Sequence, residues 1–181
     1  NYKYSDLGYY FLQKIIEQIT NQTLDEYLKK EFYVPMGLPT LGFNPLDYYP
    51  LENIAPTEMD NYFRHQLVQG YVHDMGAAMT AGVAGHAGLF SNATDLMALM
   101  QMLLNDGYYG GQQFLKPTTI KSFTSCQFCP RNRRGAGFDK PVLSLDGGPT
   151  SKLVSLESFG HTGFTGTQAW ADPVNGVNYV F

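Results

Sequence analysis

Charge is scarce in this 181-residue chain: charged residues make up 15% of it, against roughly 25% in an average globular sequence. Twelve Lys and Arg against sixteen Asp and Glu leave a formal net charge of −4 with no basic stripe, which excludes a nucleic-acid-binding surface. Long apolar runs are also missing, and none reaches the roughly 18 residues of a membrane-crossing helix. No signal peptide is visible, but a chain opening on Asn1 is expected to have lost its natural start, so that gap carries little weight. Cysteine is nearly absent, confined to Cys126 and Cys129 in Ser125-Cys-Gln-Phe-Cys-Pro130. A zinc site needs four ligands, and no second Cys pair or paired His follows at finger spacing. The repeating βαβ context of a redox Cys-x-x-Cys is missing too, so the pair is expected to sit in a loop with no metal or redox role. Two settings that activate a serine are lacking as well: no Ser is followed three places on by Lys, and there is no Gly-x-Ser-x-Gly. Against these absences stand 44% hydrophobic residues, 13 Tyr and 12 Phe, the profile of a compact, aromatic-rich globule rather than a disordered tail.

Apolar residues at Leu7, Phe11, Leu12, Ile15, Ile16 and Ile19 recur at helical spacing, predicting an amphipathic helix from about Asp6 to Thr20 with Ser5 or Asp6 as its cap. Thr23-Leu-Asp-Glu26 is a capping box opening a second helix through about Phe32, which Pro35 and Gly37 end. From Leu38 to about Arg64 the chain is rich in Pro and Tyr, too polar for core, and reads as a folded loop over the surface. Gly82, Gly85 and Gly88 punctuate the next stretch. Asn92 or Thr94 then caps an apolar helix that Gly107 stops, and Pro117 opens a short helix to Phe123. Gln127 to Ser151 reads as turn and loop. After Lys152 the hydrophobic period changes to two, predicting strands over Gly166–Asp172 and Val177–Phe181 joined at Asn175-Gly176.

Chemistry-bearing residues sit at the two ends of the chain. Tyr4-Ser5-Asp6 stands near the start, and His161-Thr162-Gly163 lies inside Gly160-His-Thr-Gly-Phe-Thr-Gly-Thr167. A phenol has a reference pKa near 10 and works as a base only where nearby cations hold the phenolate. A Lys or His on a closing strand is one such group, and His161 fits that place. Thr162 offers a hydroxyl to a substrate carboxylate or carbonyl, Gly163 lets a substrate lie flat on the strand, and the Phe164 amide is placed to donate to an oxyanion. Each motif alone is weak, and their joint occurrence in order is what counts. His73-Asp74 and His86 invite a dyad or metal reading, but a His in a Gly-rich loop is expected to bond backbone carbonyls instead. No metal is expected, and His65 reads as surface.

Tyr4-Ser-Asp-Leu-Gly-Tyr-Tyr, Val72-His-Asp-Met, Gly82-Val-Ala-Gly-His-Ala-Gly-Leu-Phe-Ser91 and Gly160-His-Thr-Gly-Phe-Thr-Gly-Thr167 together resemble the class C β-lactamase-like, penicillin-binding family of serine hydrolases. The resemblance implies Tyr4 as general base, Asp6 as partner of a catalytic Lys, His161 in the Lys/His position and Phe164 as oxyanion donor. Gly85 and His86 would belong to a cleft loop. It implies a Ser acyl-enzyme acting on a small ester or a peptidoglycan-type amide, without cofactor. Asp6 and His161 stand where true β-lactamases carry Asn and Lys, which favours an esterase or peptidase over antibiotic hydrolysis.

The expected fold is α+β, β-lactamase/transpeptidase-like. Residues 1–181 form one partial domain, with a mostly helical region over 1–151 and strands of an antiparallel sheet over 152–181. By the resemblance, the nucleophile and the missing N-terminal part of the domain lie upstream, and the parent is secreted or periplasmic. Exposed strand edges are then open to self-association. The rival expectation, from another class, is a catalytically inactive module of the same fold serving a larger protein.

Overall fold

The structure, a computed structural model, describes residues 3–129, 131–142 and 148–181. The loop reading of residues 130 and 143–147 therefore lies outside the described residues. The chain forms two compact units, Asn1–Asn92 and Ala93–Phe181.

The first unit opens with α1, Leu7–Thr20, whose N-cap is Asp6 and which ends at Asn21 in the left-handed conformation. Its core-side anchor is a polar residue, Gln13, whose amide reaches Glu17 and the Val83 carbonyl while its oxygen accepts from the Gly85 amide. The apolar stripe expected to be buried is open instead: Leu7, Phe11, Ile15 and Ile19 are 66%, 70%, 48% and 79% exposed. The capping box is formed as predicted and starts α2, Leu24–Leu28. The helix runs a few residues past Phe32, through a π-turn, Lys29–Tyr33, into α3, Val34–Met36, passes Pro35 and ends at Gly37 as expected. Pro35 is accommodated because it falls in the first turn of the new α-helical register, where an amide has no intrahelical partner to lose.

The stretch from Leu38 to Arg64 corrects the sequence reading further. Leu38, Leu41 and Phe43 are buried, and Gly42 exchanges two backbone hydrogen bonds with Phe90, drawing the segment inward. The stretch also contains β1, Pro56–Asp60, which pairs antiparallel with β2, Gln66–Gln69. This hairpin has no Asn-Gly or Asp-Gly at its turn. Asp60 builds the turn instead, its carboxylate accepting from the amides of Tyr62, Phe63 and Arg64. A small core of Val72, Ala77 and Ala84 gathers where α4, Met75–Met79, meets the Gly-rich segment.

The second unit starts with α5, Ala93–Leu104, which Gly107 ends by donating its amide to the Met102 carbonyl. A tight ladder, β3 (Tyr108–Tyr109) against β4 (Gln112–Gln113), precedes α6, Pro117–Thr124. The sheet runs β5 (Phe159–Thr162), β6 (Gln168–Asp172), β7 (Val177–Val180), all antiparallel. Strand β5 supplies the first of these, ahead of the two the alternation predicted. Met100, Phe159 and Ala171 form the core between α5 and the sheet, edged by Leu103, Leu104, Phe138, Ala169 and Val180. Asn178 donates to Gln101, pinning β7 to α5.

Candidate active site

Tyr4 and Asp6 lie in the first unit, at the entrance of α1. Tyr4 stands just ahead of the N-cap with its side chain half exposed. Asp6 occupies the cap position, yet its side chain makes no capping bond; Ser5 accepts from the Leu7 amide in its place. A carboxylate in a cap position that leaves capping to its neighbour is available for another partner. The positive end of the helix dipole lies here, which favours an anion such as a phenolate.

Tyr10, one turn further on, is a different kind of phenol. Burial first, and then the charges of Asp74 and Asp6, raise its pKa, so it stays protonated. Its hydroxyl lies 3.5 Å from His86 Nε2, which is 2.8 Å from Asp74 Oδ1. The expectation that His86 bonds backbone carbonyls is thus corrected: its partner is a carboxylate. That carboxylate also caps α4 through the Ala77 amide. Burial would raise the Asp74 pKa, but the Ala77 amide and His86 outweigh it and hold it down. His86 Nδ1 is buried and finds no hydrogen-bond partner among the described residues. Gly85 is dictated by contact, since a Cβ there would come within 2.6 Å of the Tyr9 carbonyl oxygen. Both residues line an open groove of about 400 Å³ walled by Leu12, Ile16, Leu24, Leu28 and Phe43. His73 pairs with Glu58 at 2.6 Å, and His65 is exposed as expected. Among the described residues no cluster has the makings of a metal site.

His161, Thr162, Gly163 and Phe164 lie in the second unit. His161 is on β5 opposite Ala169, and Thr162 opposite Gln168. The hairpin closes when the Gly163 amide donates to the Thr167 carbonyl at 2.6 Å. A Cβ on Gly163 would meet the Thr167 hydroxyl, which would have to rotate away to admit it. Phe164 sits at the hairpin tip, 92% exposed.

Sequence reasoning missed the charged cluster behind His161. Asp139 exchanges both backbone hydrogen bonds with Gly160, the residue before His161. Its carboxylate, 3% exposed, accepts a fork from Arg133 (Nε at 2.6 Å, Nη2 at 2.8 Å) and an ion pair from Arg134 at 3.4 Å. Burial would raise the Asp139 pKa; the Arg133 fork, the Lys140 amide and both guanidinium charges reverse that and hold it low. Arg134 in turn reaches His161 Nε2 at 2.7 Å. The only signal in the sequence was the doublet Arg133-Arg134 in a chain poor in charge.

Cys126 and Cys129 are joined in a disulfide. The loop they close is tied to this cluster, because the Gln127 amide donates to the Arg134 carbonyl.

A family model described as Beta-lactamase matches residues 1–181. A protein of Escherichia coli K12, provisionally named D-alanyl-D-alanine carboxypeptidase, is 37% identical over 194 residues, covering 98% of this chain and 43% of that protein. The chain therefore spans less than half the length of this curated relative. Among solved structures, a penicillin-binding protein homolog from Caulobacter crescentus matches with a TM-score of 0.63 at 24% identity, over 94% of this chain and 49% of its own. A β-lactamase from Mycobacterium bovis matches with a TM-score of 0.66 at 19% identity, over 98% and 54% respectively. At these identities the structures speak for the fold alone, which is β-lactamase/transpeptidase-like.

Proposed function

This chain belongs to the beta-lactamase family, and from that premise we propose that it carries the general-base and closing-strand parts of a serine hydrolase acting on peptidoglycan-type amides or esters. The observation that carries the reading is the setting of the two motifs. Tyr4-Ser-Asp stands at the positive end of α1, and His161-Thr-Gly lies on a β5–β6 hairpin with Phe164 at its exposed tip. Both motifs are proposed to serve the same reaction. The nucleophilic serine and its Lys, absent from these 181 residues, would come from sequence outside them.

In this mechanism the Tyr4 phenolate takes the proton of the serine hydroxyl as the oxygen attacks the substrate carbonyl. Asp6 holds the catalytic Lys close to Tyr4, and that cation lowers the cost of the phenolate. The Phe164 amide donates to the oxygen that becomes negative in the tetrahedral intermediate. Tyr4 then returns its proton to the departing amine or alcohol, and water repeats the sequence on the acyl-enzyme. Thr162 would orient a substrate carboxylate, which suits the carboxypeptidase name of the E. coli relative.

A secreted or periplasmic setting is part of the proposal, supported by the Cys126–Cys129 disulfide, a bond that persists in oxidising compartments. The test is release of the terminal residue from a D-alanyl-D-alanine peptide, together with ester hydrolysis, by the full-length protein. Turnover abolished by Tyr4→Phe supports the reading; a full-length protein inert on both substrates and unlabelled by penicillin points to the accessory-module alternative.

A further inference from the structure

We propose that Arg134 is a positioning residue for His161: it fixes the ring as the neutral tautomer protonated on Nδ1 and brings the fixed positive charge to this side of the site. The inference rests on the reading of His161 as a site residue, but its first readout does not depend on activity.

Donor and acceptor chemistry fixes the ring's proton. A guanidinium has five N–H donors, no acceptor, and stays charged. Arg134 Nη1 lies 2.7 Å from His161 Nε2, so Nε2 must be the acceptor and carries no proton. On the other side, His161 Nδ1 lies 2.7 Å from the Thr162 carbonyl oxygen, which can only accept, so Nδ1 carries the proton. Both contacts are satisfied by one protonation state. A doubly protonated ring would set an N–H against the Arg134 N–H at hydrogen-bond distance, beside a like charge. The cation on this side is therefore the Arg134 guanidinium, one hydrogen bond behind the ring.

Arg134 is held firmly enough to do this. Its side chain is 22% exposed and shares Asp139 with Arg133. The Asp139 backbone is bonded in both directions to Gly160, so the guanidinium is registered to the very strand that bears His161. Its own amide donates to Asn132 Oδ1, and its carbonyl accepts from Gln127 inside the disulfide loop. Arg133 and Arg134 converge on the buried Asp139 carboxylate, and the Arg134 guanidinium also stands against the ring. Arg133 already forms the complete fork on Asp139, so the carboxylate keeps a partner when Arg134 is changed.

The experiment is nitrogen NMR of histidine-labelled full-length protein, read together with steady-state kinetics. Wild type is expected to show His161 with a protonated Nδ1 and an acceptor Nε2. Arg134→Met should lose that signature and lower kcat/KM by roughly 10- to 100-fold, the worth of one charged hydrogen bond. Arg134→Lys should keep the tautomer and recover most of the rate. Arg134→Gln, which keeps a donor but no charge, should keep the tautomer and not the rate, and it serves if the Met variant fails to fold. A wild-type ring protonated on Nε2, or a signature unchanged in Arg134→Met, overturns the proposal, as does Arg134→Gln with full activity. A wild type with the expected tautomer but no hydrolytic activity would instead overturn the serine hydrolase reading and leave the tautomer assignment standing.

Discussion

Asp6 is the residue at which a structural role and the proposed functional one separate most cleanly. An Asp in a cap position ordinarily stabilises its helix by about 1 kcal/mol through a side-chain bond to the first turn. Here that bond is made by Ser5, so Asp6→Ala should shift the unfolding midpoint very little while sharply lowering turnover of the full-length enzyme. A large stability loss in thermal unfolding would return Asp6 to a structural role. Tyr4→Phe should cut kcat by about 10²- to 10⁴-fold with KM nearly unchanged, since only proton acceptance is lost. Asp60 shows the contrasting, structural use of a carboxylate. The amides of Phe63 and Tyr62, foremost among its donors, lower its pKa from 3.8 to about 2. Because the folded value lies below the unfolded one, its contribution to stability is complete above pH 3.8 and is lost as the pH falls towards about 2. Unfolding titrations of Asp60→Asn should therefore show a weaker acid dependence than wild type through that window.

At the scale of elements, α1 and the disulfide loop carry the consequences. The exposed stripe of Leu7, Phe11, Ile15 and Ile19 is the surface on which the isolated 181-residue chain should associate. Replacing Phe11 and Ile15 by Glu should shift sedimentation of that chain towards monomer, and an unchanged distribution would exclude the stripe. The loop closed by Cys126 and Cys129 is short, so its chain-entropy contribution is about 2 kcal/mol. Reduction should lower stability by that order. It should also loosen the Arg134 backbone through the Gln127 bond, visible as faster exchange of the Gln127 amide. The helix passing Pro35 shows how an element can outrun its local stop signal. The capping box set its start, while the change from π to α register moved the Pro to a position that tolerates it.

For the whole molecule, the family and fold rest on a match across the entire chain, and the proposed site residues fall in both of its units. The 181-residue chain alone, lacking Ser-x-x-Lys, should form no covalent adduct with labelled penicillin, because without the nucleophile only binding and oxyanion contacts remain. A stoichiometric adduct detected by mass spectrometry would contradict that.

The sequence by itself determined the parts governed by local rules. Periodicity and caps located α1, α5 and α6, because helix ends depend on amides within four residues of the cap. Alternation and Asn175-Gly176 located β6 and β7. The family was legible because its motif triplets stand in a fixed order along the chain. Tertiary structure decided what depended on distant partners. The core positions of Leu38, Leu41 and Phe43 follow from the pairing of Gly42 with Phe90, 48 residues away by their numbers. His86 took a carboxylate partner because α4 brought Asp74 beside it. Arg134 became a neighbour of His161 only through the Asp139–Gly160 bridge, a pairing of two short extended segments that no local pattern announces. Hydrogen bonds within a turn are written in adjacent residues, whereas a backbone bridge between remote segments is set by whichever strand edge folding leaves open.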